Sequence, residues 1–106
     1  MREKYLRYWW DRGSRINPQQ VTKPYYRVLY DKWRRPIIIE NYEVDHTLIS
    51  TNKFTWRWNY RVRGEVYDAQ GNMTAYLVYR YGRLGNLVGV EYHKPTGKLV
   101  KFFDEF

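Results

Sequence analysis

The chain lacks cysteine, long aliphatic runs and any abundance of histidine. Without cysteine there is no disulfide framework, no thiol nucleophile and no thiolate metal site. The longest aliphatic stretch is the isoleucine run at residues 37–39, far shorter than the roughly 20 apolar residues of a membrane-spanning helix. The first ten residues contain no apolar segment typical of a secretory signal. We therefore predict a cytoplasmic protein without a membrane span.

The sequence patterns of common catalytic sites are also missing. There is no glycine-rich phosphate loop, and Ser14 and Ser50 lack the flanking glycines of a nucleophile elbow. No His, Asp or Glu residues stand at metal-ligand spacing on a helix, so we predict no metal and no cofactor. His46 and His93 fall in predicted loops, where a third hypothesis makes them the acid–base pair of a small hydrolase. Our main prediction is a protein that is not an enzyme.

Aromatic residues and positive charge are what the chain has in excess. Aromatics make up 20% of the 106 residues, and 12 of them are tyrosines, which suit half-buried sheet faces. The formal net charge is +8. Residues 1–35 carry ten Lys and Arg against three acidic residues, whereas residues 36–106 carry nine against eight. This asymmetry suggests an acidic partner for the basic N-terminal third.

Residues 54–67 carry the clearest structural pattern. From Phe54 to Val62 large apolar and polar residues alternate, and a period of two is that of a β-strand. The pattern predicts one strand, with Trp56 and Trp58 among the side chains that face a core. The opposite face would then carry a row of three arginines, which are Arg57, Arg61 and Arg63.

The rest of the chain predicts an antiparallel meander. The predicted strands, about six in number, occupy residues 25–30, 37–44, 54–67, 74–81, 87–92 and 98–103. Residues 45–53 form the longest predicted internal loop, and the shorter loops contain glycine where a hairpin favours positive φ, as at Gly71 and Gly97. The predicted fold is therefore mainly β, with a single sheet that is strongly twisted or curled into a half-barrel.

The predicted chain is a single domain, residues 1–106, in which residues 25–106 form the meander. Residues 1–24 form a basic N-terminal segment and loop. Leu6, Trp9 and Trp10 stand at helical spacing near its start, and Gly13 would end a short helix there. The aromatic residues of the same stretch favour a strand, so the segment is either irregular, a short helix or a strand.

The predicted turns repeat one order, in which an aromatic residue, a turn and a glycine lead into a return strand. This order starts at Tyr67-Asp68, at Tyr81 and at Tyr92, and a shorter copy without glycine starts at Tyr30. Over residues 67–99 it resembles the YD repeats of RHS-type bacterial shell proteins and is similar to variant MORN-type hairpin repeats. The resemblance implies a sheet built by repetition and supplies no catalytic or ligand residue.

Function is predicted from the surface alone. The first hypothesis is a non-catalytic interaction or accessory protein that docks onto a larger, acidic protein partner, because arginine and aromatic residues dominate interface hot spots. The alternative is nucleic-acid binding by the basic N-terminal third and the arginine row, since bases stack on rings and guanidinium groups contact phosphate. Self-association through an exposed sheet edge or face is a further prediction. The predicted binding surface comprises Arg57, Arg61, Arg63, Arg80, Arg34, Arg35 and Trp33.

Overall fold

Eight antiparallel strands lie side by side in one sheet, in the same order as in the sequence. The structure, a computed structural model, describes residues 2–104. The strands are β1 (Arg2–Leu6), β2 (Tyr25–Tyr30), β3 (Pro36–Tyr42), β4 (Leu48–Arg57), β5 (Tyr60–Asp68), β6 (Met73–Tyr81), β7 (Leu87–His93) and β8 (Leu99–Phe103). A 3-10 turn at Pro18–Gln20 is the one helical segment in this part of the chain. No helix within residues 2–104 has the length and apolarity that a membrane crossing requires.

The mainly β, antiparallel meander is confirmed, but the sheet has eight strands rather than about six. The sheet is open, and the molecule extends over 44 × 29 × 25 Å. The additional strands are β1, where the sequence left helix and strand open, and a strand created by a turn within residues 54–67.

That turn contradicts the single strand predicted for residues 54–67. Strand β4 ends at Arg57 and β5 begins at Tyr60, so Trp58 and Asn59 form a two-residue hairpin turn. Asparagine favours such turns. The alternation conceals the turn because Trp58 is apolar at the position where a continuous pattern requires an apolar residue.

The predicted loop at residues 45–53 is also wrong, because β4 begins at Leu48. The turn before it spans residues 43–47 only. Polar residues 50–53 indicate a loop when considered alone, yet they pair with β3 on one side and β5 on the other. Pairing on both sides outweighs the local preference of polar side chains.

Five hairpin turns share one hydrogen-bonding pattern. They start at Asp31, Glu43, Asp68, Gly82 and Lys94. In each, the first N–H donates to the carbonyl four residues ahead, and the fourth N–H donates back to the first carbonyl, at 2.8 to 3.1 Å. The fourth residue has positive φ in every case: Arg34 65°, His46 70°, Gly71 86°, Gly85 78° and Gly97 98°. The positive φ predicted at Gly71 and Gly97 is confirmed, in a loop type that favours glycine there.

One face of the sheet, which we call the core face, carries the main buried cluster. Leu6, Val28, Tyr30 and Ile39 are each at most 3% exposed. The remaining contacts to this cluster come from Trp9, Tyr26 and Phe54. Trp9 belongs to the long β1–β2 connection, which folds back over the first strands and brings its ring 5.7 Å from that of Phe54.

The opposite face, which we call the polar face, is crossed by ion pairs between neighbouring strands. Arg27 of β2 lies between Glu3 and Glu40, with nitrogen–oxygen distances of 2.7 Å to each. Further along the sheet Arg80 pairs with Glu91 across β6 and β7 at 2.6 Å. Cross-strand pairs of this kind stabilise a solvated sheet face. The buried Tyr25 also lies on this face, where its ring stacks on that of Tyr42 with centroids 5.3 Å apart.

Candidate interaction surface

The structure brings together only part of the predicted binding surface. Trp33, Arg35 and Arg57 line one hollow at an end of the sheet. Arg34, in the same turn as Trp33, borders a different and smaller hollow. The other predicted arginines lie elsewhere.

The predicted row of three arginines does not form. The hairpin turn, together with a register step that skips Val62, places Arg61 opposite Trp56 on the core face. The Arg61 guanidinium carbon lies 4.6 Å from the ring centroids of both Phe54 and Tyr79. Arg61 therefore packs among aromatic rings, away from the face that the alternation predicted for it.

Arg63 and Arg80 lie on the polar face, where each already has a carboxylate partner. Arg63 Nε donates to Glu65 at 3.1 Å, and Arg80 Nε donates to Glu91 at 2.6 Å. The Arg63 guanidinium also lies 4.1 Å from the Tyr76 ring. These two charges are compensated within the chain.

Alternate turns of a meander meet at the same end of the sheet. The β2–β3, β4–β5 and β6–β7 turns meet at one end, and we call residues 32–35, 57–60 and 82–85 the tryptophan end. The remaining shared-pattern turns, residues 43–47, 68–72 and 94–98, lie at the opposite end.

Trp58 separates two hollows at the tryptophan end. The first has a volume of about 620 Å³ and is lined by Trp33, Arg35, Trp56, Arg57, Trp58 and Asn59. The second, about 400 Å³, extends from Trp58 to Arg83 in the β6–β7 turn. The Trp58 side chain is 83% exposed and Trp33 is 65% exposed. The predicted core position of Trp58 is thus wrong, and two large aromatic side chains stand in solvent beside concave surface.

Arg35 holds the first hollow in shape by joining two turns. Its Nε donates to Asp31 at 2.7 Å, and its Nη1 donates to the carbonyl of Trp58. The guanidinium carbon lies 4.9 Å from the Trp33 ring. Burial would raise the pKa of Asp31, but hydrogen bonds from the Arg35 N–H and guanidinium outweigh it and hold that pKa below its usual range. The β2–β3 turn is therefore anchored by an ionised carboxylate.

The second hollow is held by tyrosines. Tyr60 and Tyr81 meet edge to face with ring centroids 4.9 Å apart, and the Tyr81 hydroxyl donates to the Arg61 carbonyl at 2.6 Å. A Cβ placed on Gly85 would lie only 2.3 Å from the Tyr60 hydroxyl. A side chain at position 85 would have to displace this hydroxyl, so the β4–β5 and β6–β7 turns are in contact at Tyr60 and Gly85.

Trp58 has a strained backbone. Its φ is 56°, in the left-handed region, where a bulky residue is a conformational outlier. The left-handed conformation costs an L-residue about 1–2 kcal/mol, and a two-residue turn with positive φ at its first position usually has glycine there. Such outliers cluster at functional sites.

The tryptophan end is strongly basic. Its cationic side chains are Lys32, Arg34, Arg35, Arg57 and Arg83, and these residues include no carboxylate; the adjacent Asp31 is bound to Arg35. Within residues 2–104, Arg57 and Arg83 form no ion pair. The turns at the opposite end contain Glu43, Asp45 and Asp68 beside Lys94 and Lys98. The two ends of the sheet therefore differ in charge.

The two histidines do not form the acid–base pair of the hydrolase hypothesis. His46 lies in the β3–β4 turn and its Nδ1 is 2.7 Å from the Tyr25 hydroxyl. His93 lies on β7, with Nε2 2.7 Å from Glu91. Strands β4, β5 and β6 separate them, a span of roughly 15 Å at the usual strand spacing. Within the described residues, no three His, Asp or Glu side chains are grouped as metal ligands.

Sequence reasoning missed Trp58 and Asn59 as surface residues, and Asn59 directly after a tryptophan was the signal for the turn. Trp56, predicted to face a core, is half-buried on the core face and donates from Nε1 to the Pro36 carbonyl at 2.7 Å. Comparisons of the chain with known protein families, with curated proteins and with solved structures find no match.

Proposed function

We propose that this protein is a non-catalytic interaction protein that binds an acidic region of a larger protein through its tryptophan end. The observation that carries the proposal is Trp58, an 83% exposed indole on a strained turn between two hollows. Tryptophan and arginine are the residue types that contribute most to interface hot spots. Strain of about 1–2 kcal/mol is difficult to explain for a solvated tryptophan unless the side chain has a role outside the fold.

Charge and shape favour a protein partner over a nucleic acid. Binding to single strands uses a continuous basic groove with stacking rings along it. Here Arg63 and Arg80 are paired with carboxylates, and Arg61 lies on the core face. The free cations instead surround a compact pair of hollows beside Trp58. A protein side chain flanked by carboxylates fits this arrangement.

Preorganisation supports the same conclusion. The Arg35 bridge and the Tyr60 contact with Gly85 fix the three turns relative to one another before a partner binds. An interface made by ordered turns loses less conformational freedom on association than one made by mobile loops.

A photoreactive amino acid at Leu84 tests the proposal. Leu84 is 95% exposed at the tip of the β6–β7 turn, and Gln70 occupies an exposed tip at the opposite end as a matched control position. After irradiation in cell extract, position 84 should form a crosslink to one polypeptide. The crosslinked product should resist nuclease and should disappear in the Trp58→Gly variant. Its yield should fall with added salt, because salt weakens the charged contacts at the rim of the interface.

The control position should give no such adduct. An adduct at position 84 that is lost with nuclease would show nucleic-acid binding instead. An adduct that forms equally from position 70, or that survives Trp58→Gly, would remove the tryptophan end as the binding surface.

A further inference from the structure

The Tyr30 hydroxyl is an unsatisfied polar atom in the interior. The side chain is 3% exposed on the core face, and within residues 2–104 the hydroxyl has no acceptor for its proton, because the nearby Arg12 guanidinium can only donate. A buried hydroxyl left without an acceptor has lost its hydrogen bond to water and gained none in return, which destabilises the fold. Native structures rarely keep such an atom without a reason, so a ligand that accepts its hydrogen bond is the first candidate.

Tyr30 lines a small hollow whose other walls are all cationic. Arg2, Lys4, Arg12 and Arg34 complete the lining, and the volume is about 60 Å³. A single water needs about 10–15 Å³ of such volume, so the hollow has room for a small oxyanion. The site lies beside the tryptophan end but is separate from its two hollows.

Three segments of the chain supply the four cations. Arg2 and Lys4 are two residues apart on β1, so both side chains lie on the core face with Tyr30. Arg12 comes from the β1–β2 connection, and Arg34 occupies the positive-φ position of the β2–β3 turn. The Arg12 guanidinium donates to the Arg34 carbonyl and lies 4.8 Å from the Tyr30 ring centroid, with Lys4 at 5.8 Å.

No carboxylate compensates these charges. None of the four cations forms an ion pair within residues 2–104. The nearest acids in the sequence are engaged elsewhere, since Glu3 binds Arg27 on the polar face, Asp31 binds Arg35, and Asp11, which precedes Arg12, accepts from the Gly13 N–H. Like charges held together repel one another, and an anion between them converts that repulsion into attraction.

Tyr30 is suited to donate to such an anion. Burial raises the pKa of Tyr30, and the nearby Arg12 charge offsets this only in part, so the hydroxyl keeps its proton. A protonated hydroxyl among four cations is a set of donors without acceptors, which matches a group that carries only acceptors.

We propose that Tyr30, Arg2, Lys4, Arg12 and Arg34 form a binding site for one tetrahedral oxyanion of the phosphate class, either free phosphate or a phosphate monoester. The site shares Arg34 with the tryptophan end but none of the residues that line its two hollows, and its test requires no protein partner.

Titration of the full chain with inorganic phosphate, against sodium chloride of equal ionic strength, tests the site. Phosphate should raise the melting temperature saturably, as expected for a ligand that binds only the folded state. Tyr30→Phe removes one donor and should weaken phosphate binding severalfold, while the melting temperature without phosphate stays the same or rises. Arg12→Ala should weaken binding about tenfold or more, as loss of a charged hydrogen bond does.

Arg34→Gly is a second variant that is expected to fold, because glycine favours the positive φ of position 34. Arg83→Ala is the matched control, since it removes the same charge at a different hollow. Equal weakening by Arg83→Ala and Arg12→Ala, or no effect of phosphate beyond that of chloride, would overturn the proposal.

Titration with phosphoserine distinguishes the two sources of the phosphate group. Tighter binding than that of inorganic phosphate identifies a site for a phosphate monoester, and weaker or equal binding identifies a site for free phosphate.

Discussion

Three side chains occupy backbone positions where glycine is favoured. Arg34, His46 and Trp58 all have φ between 56° and 70°. Arg34 faces the proposed oxyanion site, and His46 bonds to the Tyr25 hydroxyl. Trp58 forms no comparable side-chain bond within the described residues and stands in solvent. At the residue scale, position 58 is therefore the one where a strained backbone is least compensated by side-chain contacts.

Trp58→Gly should stabilise the fold by about 0.5–1 kcal/mol, because relief of left-handed strain exceeds the entropy that glycine adds to the unfolded chain. Urea denaturation measures the change. Trp58→Ala is the control, since it removes the indole but keeps the strained Cβ and should show no such gain. A loss of more than about 1 kcal/mol in Trp58→Gly would mean that the indole stabilises the fold rather than serving a partner.

A second prediction at this scale concerns Gly71. A Cβ at this position would meet no atom within 4 Å, so only its φ of 86° opposes a side chain. Gly71→Ala should therefore destabilise the protein by about 1 kcal/mol, while Gln70→Ala in the same turn should stay within about 0.5 kcal/mol. Equal values for the two variants in chemical denaturation would contradict a conformational role for Gly71.

At the scale of elements, the strands are held by a shared turn geometry and by ion pairs on the polar face. The Glu91 carboxylate on β7 forms hydrogen bonds with two side chains, Arg80 of β6 and His93 of its own strand. The His93 ring stacks on Tyr76 with centroids 4.7 Å apart. These side chains cover part of the polar face of β6 and β7.

Acid should weaken this group. Hydrogen bonds from Arg80 and then His93 hold the pKa of Glu91 below its usual range. Because the folded pKa is the lower one, the stability that Glu91 contributes is present above about pH 4.3 and is lost as the pH falls through the folded pKa. Glu91→Gln should flatten this part of a stability–pH profile measured by urea denaturation. Glu43→Gln, at an exposed turn without an ion pair in the described chain, should leave the profile unchanged.

At the scale of the whole molecule, the buried hydrophobic residues are concentrated near one edge of the sheet, at strands β1 to β3. Of the buried hydrophobic residues Leu6, Tyr25, Val28, Tyr30, Ile39 and Ala75, only Ala75 lies beyond β3. All residues of β8 are exposed. Self-association through an exposed edge stays a prediction, and β8 is the strand that fits it.

Hydrogen exchange should follow this gradient. Amides of β2 and β3 are expected to exchange slowest and those of β8 fastest, because local opening is least costly where little apolar surface is buried. Ile39→Ala, at 1% exposure, should destabilise by about 2–5 kcal/mol, whereas Val88→Ala, at 43% exposure, should cost far less. Uniform protection across the eight strands would contradict an off-centre core.

The sequence by itself determined the class of fold and most of the turns. Side-chain alternation and the φ preference of glycine are local properties, so the meander and the positive φ of Gly71 and Gly97 could be predicted from neighbouring residues. Arg34 and His46 adopt the same turn without glycine, which shows that strand pairing on both sides can impose a turn that local preference does not favour.

Only the tertiary structure decided where the surface lies. An apolar residue at position 58 continues the alternation through a turn, so the sequence could not show that Trp58 leaves the core. A separate register step, which skips Val62, sends Arg61 to one face and Arg63 to the other. Which arginines converge depends on strand register and on contacts between turns far apart in the chain, and these are set by pairing across the whole sheet rather than by any local pattern.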